Sequence, residues 1–208
     1  MVAIIDYDAG NINSVEKAVR YLNGECRITR DKAEILSADA VILPGVGAFG
    51  EAMERLNEYD LTGTVKEVIS KGTPFLGICL GLQLLFEKSE ESPGVSGLGV
   101  IKGSVRRLPR DLGLKVPDIG WNSLRIYNRN GLFKDLEDEV FVYFVHSYYA
   151  DAEDKSVVTA GIDYGVRADV AVEAGNVYAC QFHPEKSSKA GLKILSNFLK
   201  VAECIPKE

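Results

Sequence analysis

Cys79 ends the apolar run Pro74-Phe75-Leu76-Gly77-Ile78, with a glycine two residues away on each side, Gly77 and Gly81. A helical pattern starts at once through Leu80, Leu82, Leu84, Leu85 and Phe86. Gly-x-Cys-x-Gly between a strand and a helix is the thiol form of the nucleophile elbow. Such a turn is sharp and strained and leaves no room for neighbouring Cβ atoms. It lifts the sulfur off the end of a sheet and sets it over a helix N-terminus, where thiolate is favoured over thiol. The alternative is a buried structural cysteine, a common fate for this residue type. A catalytic thiol requires a base, a group to orient that base, and an oxyanion hole.

The chain has only two histidines, His146 and His183. Both end apolar runs, where histidine is more often structural than catalytic. His183 is the better base because Glu185 follows two residues on, in Gln181-Phe182-His183-Pro184-Glu185. In extended backbone the side chains at i and i+2 share a face, and Pro184 stiffens the link. The carboxylate can then hold one tautomer and stabilise the imidazolium. The plain alternative for His-Pro-Glu is a solvated turn.

Pro44-Gly45-Val46-Gly47-Ala48-Phe49-Gly50 satisfies G-x-G-x-x-G. That fingerprint normally opens the first βα unit and finds an acid at the end of the next strand. Here it comes third, and the next strand ends in Cys79. The dinucleotide reading is therefore weak. The other reading places N–H groups near Val46 and Gly47 against a reacting oxygen, with the Leu80 N–H as the second donor.

The elements that must position these groups follow from periodicity. Val2–Ile5, Cys26–Ile28, Ala40–Leu43 and Phe75–Ile78 read as strands. Helical patterns lie between them: one capped by Asn13 or Ser14 and running to Leu22, one through Met53–Leu56, and one through Thr64–Ile69. This alternation predicts right-handed βαβ crossovers and a parallel sheet covered on both faces. Ligands gather beyond the C-terminal ends of such strands. The second half reads as short strands at Val105–Leu108, Trp121–Tyr127, Val140–Val145, Val157–Ile162, Val170–Val172 and Val177–Phe182, then a helix over Leu192–Val201. Glu87–Gly97 reads as an exposed loop. The fold class is thus α/β: a flavodoxin-like open, mostly parallel sheet with helices on both faces, and an added partly antiparallel sheet in the second half.

With 46% hydrophobic residues, the 208-residue chain can bury a sizeable core. Its formal net charge of −6 offers no basic footprint for nucleic acid or an anionic membrane. Cys26, Cys79, Cys180 and Cys204 form no C-x-x-C pair and no dense framework, which argues against zinc and structural disulfides. Reduced thiols in the cytoplasm are expected, with no metal and no cofactor. Met1–Asp6 reads as a first strand and not a signal peptide. No apolar run approaches a membrane span.

Taken together, Pro44-Gly45-Val46-Gly47, Gly77-Ile78-Cys79-Leu80-Gly81 and Gln181-Phe182-His183-Pro184-Glu185 resemble the motifs of class I (triad-type) glutamine amidotransferases. The likeness covers essentially the whole chain, so residues 1–208 are expected to form one such domain. More narrowly, the chain resembles the glutaminase subunits of imidazole glycerol phosphate synthases of histidine biosynthesis. That rests on Asp6-Tyr7 with Gly10-Asn11, on Pro-Gly-Val-Gly, on Gly120-Trp121-Asn122, and on Tyr143-Phe144-Val145-His146-Ser147-Tyr148. The resemblance implies Cys79 as nucleophile, His183 as base and Glu185 as its orienter. It implies Gln83, Ser147 and Tyr148 as glutamine-binding residues, and an oxyanion loop at Val46 and Gly47 whose peptide flips before it donates. It places Asn11, Trp121, Tyr143 and Lys186 toward a (β/α)8-barrel cyclase subunit in a heterodimer. Lys186 would form a charge pair across that interface, or else be a solvated lysine. One departure is Asp118, where related chains often carry histidine before Ile-Gly-Trp-Asn. Competing readings are the glutaminase of an anthranilate, aminodeoxychorismate or pyridoxal phosphate synthase, and a catalytically silent regulatory scaffold.

Overall fold

The computed structural model describes all residues except Ala9, 110–112 and 204–208, so Cys204 lies outside the described residues. Three of the first four strands are apolar along their whole length because the sheet is covered on both faces. β1 (Val2–Ile5), β3 (Ala40–Gly45) and β4 (Phe75–Cys79) are buried at every position. With β2 (Cys26–Thr29) and β13 (Val177–Cys180) they form a parallel array in the order β2-β1-β3-β4-β13. This puts the ends of β3, β4 and β13 side by side, with Gly45 opposite Cys79 and Cys180 opposite Ile78.

Beyond β13 the same sheet turns largely antiparallel, through β12 (Arg167–Ala174), β10 (Tyr148–Ala152), β6 (Ile101–Arg107) and β5 (Phe86–Ser89), with β11 (Val158–Asp163) and β8 (Arg125–Ile126) branching from β12. Only β5 and β6 are parallel in this part. A separate two-stranded ribbon pairs β7 (Asp118–Ser123) with β9 (Phe141–His146). The expected α/β class holds. The antiparallel strands continue the main sheet, and the ribbon is the added one.

Helices α1 (Ile12–Tyr21) and α6 (Ser188–Glu203) lie on one face, and α2 (Lys32–Leu36), α3 (Phe49–Glu58), α4 (Leu61–Ser70) and α5 (Leu80–Leu84) on the other. α3 buries Phe49, Ala52, Met53 and Leu56, spaced for one helical face. Among the described residues, no helix is long and apolar enough to cross a membrane.

Several elements differ from their sequence reading. α1 starts at Ile12 with Asn11, not Asn13 or Ser14, at its N-terminal boundary. Asn11 sits at φ 70°, a left-handed region that asparagine tolerates. The helix after Cys79 stops at Leu84, and Phe86 opens a strand. The cause is tertiary. The Leu84 carbonyl accepts from the Leu98 N–H, and the Leu85 carbonyl from Val100 and Ile101. Glu87–Gly97 is therefore not simply an exposed loop: it begins in β5, and Ser89 is buried. The stretch Trp121–Tyr127 splits at buried Leu124 into β7 and β8, which belong to different sheets. α2 and β10 have no counterpart in that reading.

Candidate active site

Cys79 closes β4 at φ 56°, ψ −109°, a strained conformation for a residue with a Cβ. The strain follows from how tightly the turn lies against β3. A Cβ on Gly81 would come within 1.9 Å of the Leu43 carbonyl oxygen, and one on Gly77 within 2.8 Å of the Gly81 oxygen. Only glycines on both flanks let the strand reverse here. Leu80 opens α5, so its N–H has no acceptor within the helix. α5 is only five residues long. The expected helix dipole shrinks to one turn's N–H groups, and the imidazole beside the sulfur becomes the larger influence.

His183 and Glu185 flank the start of a short 3-10 turn at Pro184–Lys186, just beyond β13. The His183 Nδ1 lies 2.8 Å from Glu185 Oε1, and both side chains are essentially inaccessible to solvent. Glu185 Oε1 also accepts from Asn11 Nδ2. With Nδ1 engaged, His183 Nε2 is the nitrogen left for Cys79. It has no other polar partner among the described residues. Burial lowers the His183 pKa, but Cys79 and then Glu185 outweigh it, and the pKa is pushed up to about 9. The backbone is held as well. The His183 N–H donates to the Tyr143 carbonyl, and Ser187 Oγ accepts from the Tyr143 N–H and donates to the His183 carbonyl.

A cleft of about 320 Å³ opens over the sulfur, lined by Val46, Gly47, Leu80, Gln83, Ser147 and Tyr148, among others, together with Cys79 and His183. That volume suits a ligand of amino-acid size. Gly47 stands at φ +100° with open space where a Cβ would lie, and Val46 is partly exposed beside it. Gln83 Nε2 donates to the Tyr148 carbonyl (3.1 Å) and to Gln181 Oε1 (2.9 Å), while Gln181 Nε2 points at Cys79 Sγ at 3.6 Å. Arg107 lies over the Tyr148 ring at 5.7 Å.

The glycine loop is not built as a nucleotide cradle. The first N–H groups of α3 are already taken: Phe49 N–H donates to Glu91 Oε2 (2.8 Å) and Gly50 N–H to Ser92 Oγ (3.0 Å). A pyrophosphate needs that helix end free. Gly45 serves packing, since its Cβ would lie 2.3 Å from the Tyr7 hydroxyl.

The residues read as partner-facing are divided. Trp121 and Tyr143 are cross-strand partners on the ribbon, with ring centroids 6.1 Å apart, and Trp121 is half exposed. Lys186 is exposed on the 3-10 turn. Asn11 is half-buried and bound to Glu185, so its side chain belongs to the site as much as to the surface. Gln181, Ser187 and Glu91 were missed as contributors. The first stood inside a quoted motif, and the other two carry no sequence signal. His146 lines the cleft and Asp118 stands opposite it on the ribbon, with both side chains buried. Cys180 is a structural thiol, fully buried, with its Sγ 3.5 Å from the Phe182 carbonyl.

The family model described as Glutamine amidotransferase class-I matches residues 3–202. The chain belongs to the class I glutamine amidotransferases. Within this family it is 53% identical over 203 residues to the imidazole glycerol phosphate synthase subunit HisH of Bacillus cereus, covering 98% of this chain and 96% of that one. It is 47% identical over 205 residues to the subunit of the same name from Caldanaerobacter subterraneus, covering 99% and 100%. A solved glutamine amidotransferase shares the fold at a TM-score of 0.76 and 23% identity, covering 98% of this chain and 100% of the other. Class I glutamine amidotransferases of this kind are glutaminases.

Proposed function

We propose that this chain is the glutaminase subunit of an imidazole glycerol phosphate synthase. It hydrolyses the side-chain amide of L-glutamine and passes ammonia to a (β/α)8-barrel cyclase, which makes imidazole glycerol phosphate and AICAR. The carrying observation is that Cys79 and His183 line one cleft, with Glu185 Oε1 2.8 Å from the far side of the His183 ring, in a chain about half identical to proteins of that name. The thiols of Cys26, Cys79 and Cys180 are free, which suits a reducing cytoplasm.

Cys79 gives its Sγ proton to His183, and the sulfur attacks the amide carbon of glutamine. The carbonyl oxygen gains the electron pair and rests on N–H groups of the Val46–Gly47 loop and Leu80. The tetrahedral adduct collapses, the C–N bond breaks, and His183 gives its proton to the departing ammonia. Water then gives a proton to His183 and attacks the thioester, releasing glutamate and restoring the thiol. Gln83, Ser147 and Tyr148 hold the substrate.

The relative sizes of these terms matter. A free thiol is a few per cent ionised at pH 7, so complete ionisation gains at most about 30-fold, roughly 2 kcal/mol. One oxyanion donor is worth about 2.7–4 kcal/mol. The orientation of the Val46–Gly47 peptides therefore limits turnover more than ionisation does. Gly47, with open space around it, gives that segment freedom to reorient when the cyclase binds.

The test is Cys79→Ala in the heterodimer. Glutamine-driven synthesis should vanish while ammonia-driven synthesis survives. Retained glutaminase activity in that variant would falsify the proposal. Selective labelling of Cys79 by a glutamine-like electrophile separates the enzyme from a silent scaffold.

A further inference from the structure

We infer that Tyr7 is a positioning residue for the oxyanion loop, holding the Pro44 carbonyl from which the Val46–Gly47 segment departs. This rests on the glutaminase reading of the cleft. The Tyr7 hydroxyl donates to the Pro44 carbonyl oxygen at 2.8 Å, and both residues are buried. A Cβ on Gly45 would lie 2.3 Å from that hydroxyl and 2.9 Å from Leu80 Cβ. The phenol thus fills the space that Gly45 leaves between the end of β3 and the Cys79 turn. Burial, and then the charge of Cys79, push the Tyr7 pKa up, so the hydroxyl keeps its hydrogen for Pro44.

Strand geometry explains why a side chain does this. Successive residues of a strand turn their backbone groups to opposite edges. The Val41 N–H points toward β4, donating to the Pro74 carbonyl. Pro44, three residues on, therefore turns its carbonyl to the other edge, toward β1. The β1–β3 ladder has ended by then, with Ile4 opposite Ile42 as its last pair. Pro44 has no N–H to leave unpaired on that edge, but its carbonyl would be a buried orphan. Tyr7, two residues past the end of β1, supplies the donor that a longer strand would have given.

The loop begins immediately afterwards. Gly45 closes β3 opposite Cys79, and Val46 and Gly47 are exposed beyond it. Two fixed points precede the loop: the ladder to β4 on one edge and Tyr7 on the other. With both in place, reorientation is confined to Val46 and Gly47, and the N–H that turns inward arrives at one place above the sulfur. Without the hydroxyl, the Pro44 carbonyl turns to find another donor, and the end of β3 turns with it. Among the described residues, the hydroxyl's hydrogen bond goes to Pro44, not to Gln83, Ser147 or Tyr148. Its loss therefore weakens the hold on the transition-state oxygen and leaves ground-state binding in place.

The test is Tyr7→Phe in the heterodimer. Rates are counted per Cys79 that a glutamine-like electrophile labels at completion, so inactive chains drop out. The variant should lower kcat/KM for glutamine about five- to tenfold, the scale for a buried acceptor left without its donor. The inhibition constant of glutamate, which has no amide to react, should stay within about twofold. Placing 4-aminophenylalanine at position 7 restores a donor on the same ring and should recover the rate. Placing 4-methylphenylalanine there, similar in size but without a donor, should not. This pair still decides if the phenylalanine variant does not fold. Carbonyl spectra of the full chain give a second readout. Carbon-13 proline carbonyls with nitrogen-15 glycine select Pro44-Gly45 and Pro93-Gly94, the two proline–glycine steps in the sequence. The Pro44 signal should move when the donor is removed, and the Pro93 signal should stay. An unchanged kcat/KM, an equal loss of glutamate affinity, an amino variant no better than the methyl one, or an unmoved Pro44 signal each overturns the inference. The spectra do not depend on activity, so failure of the glutaminase reading shows separately, as no glutamate from the wild-type heterodimer.

Discussion

At the scale of single residues, the site turns on how Glu185 holds His183. Glu185 Oε1 accepts from both His183 Nδ1 and Asn11 Nδ2 while Oε2 has no hydrogen-bond partner among the described residues, so an amide oxygen could keep both bonds and what it would lose is the negative charge beside the imidazolium. Glu185→Gln should therefore lower kcat by roughly 10³- to 10⁴-fold, the scale seen when an orienting carboxylate is made neutral, while the glutamine KM changes little. Steady-state glutamine hydrolysis in the heterodimer checks this. His183 also makes stability depend on pH, through its contact with Cys79 first and with Glu185 second. The folded pKa of His183 is raised to about 9, above the ordinary value near 6.5. Its contribution is thus complete below about pH 6.5 and is lost as pH rises through 9. The difference in Tm between wild type and Glu185→Gln should be largest near pH 6 and shrink toward pH 9.5. A difference constant across that range counts against the charged His183–Glu185 pair.

At the scale of elements, the turn at Cys79 is set by contact between backbones. Gly81→Ala would force a methyl group to within 1.9 Å of the Leu43 carbonyl oxygen, a backbone atom that no side-chain rotation can move. The expected cost is at the top of the usual overpacking range, about 3 kcal/mol, or a fall in Tm of about 6–12 °C. Alkylation of Cys79 should slow with it, since β4 and α5 must separate from β3. A melting curve and a thiol-labelling rate measured on one sample check both. This turn was legible in the sequence because two glycines around a cysteine at the end of an apolar run have few other uses. Likewise Val2–Ile5 and Ala40–Leu43 were legible as strands, since burial on both faces demands unbroken apolar runs. The end of α5 was not legible. Leu84, Leu85 and Phe86 continue the helical pattern, and only carbonyl acceptance by the distant Leu98–Ile101 segment ends the helix. Nor could the sequence show that Glu91 and Ser92 cap α3, because their pairing with Phe49 and Gly50 depends on how β5 is docked. The glycine loop read as an ambiguous phosphate motif for the same reason: what occupies the helix end is decided by tertiary contact. Gly47 is a separate case. At φ +100° it favours glycine whatever the space around it, so Gly47→Ala should reduce the turnover gained on cyclase binding more than the basal rate, as read by assays with and without the partner.

At the scale of the molecule, the two faces of the β7–β9 ribbon do different work. Its inner face buries Asp118, Val142, Phe144 and His146 toward the core and the cleft. Its outer face carries Ile119, Trp121 and Phe141, which are 60%, 51% and 47% exposed. Cross-strand register sets Trp121 beside Tyr143 and Ile119 beside Val145 on that outer face. A contiguous apolar strip of this kind on an acidic chain marks a surface for a protein partner, and in the proposed function that partner is the cyclase. Large aromatic residues at the centre of such a patch commonly account for about 2–4 kcal/mol each. Trp121→Ala should therefore weaken heterodimer association by roughly 30- to 1,000-fold. Cys79 and His183 lie at the ends of strands of the main sheet, and their hydrogen bonds do not pass through the indole, so labelling of Cys79 in the free chain should be unchanged. Lys186→Ala supplies the contrast. Lys186 is exposed on the turn that follows His183, so a charge pair across the interface predicts weaker binding with a steeper response to salt, whereas a solvated lysine predicts neither. Titration calorimetry of both variants against the cyclase, at low and high salt, separates an apolar anchor from a screened charge. Equal affinity of Trp121→Ala and wild type would move the docking surface off the ribbon altogether.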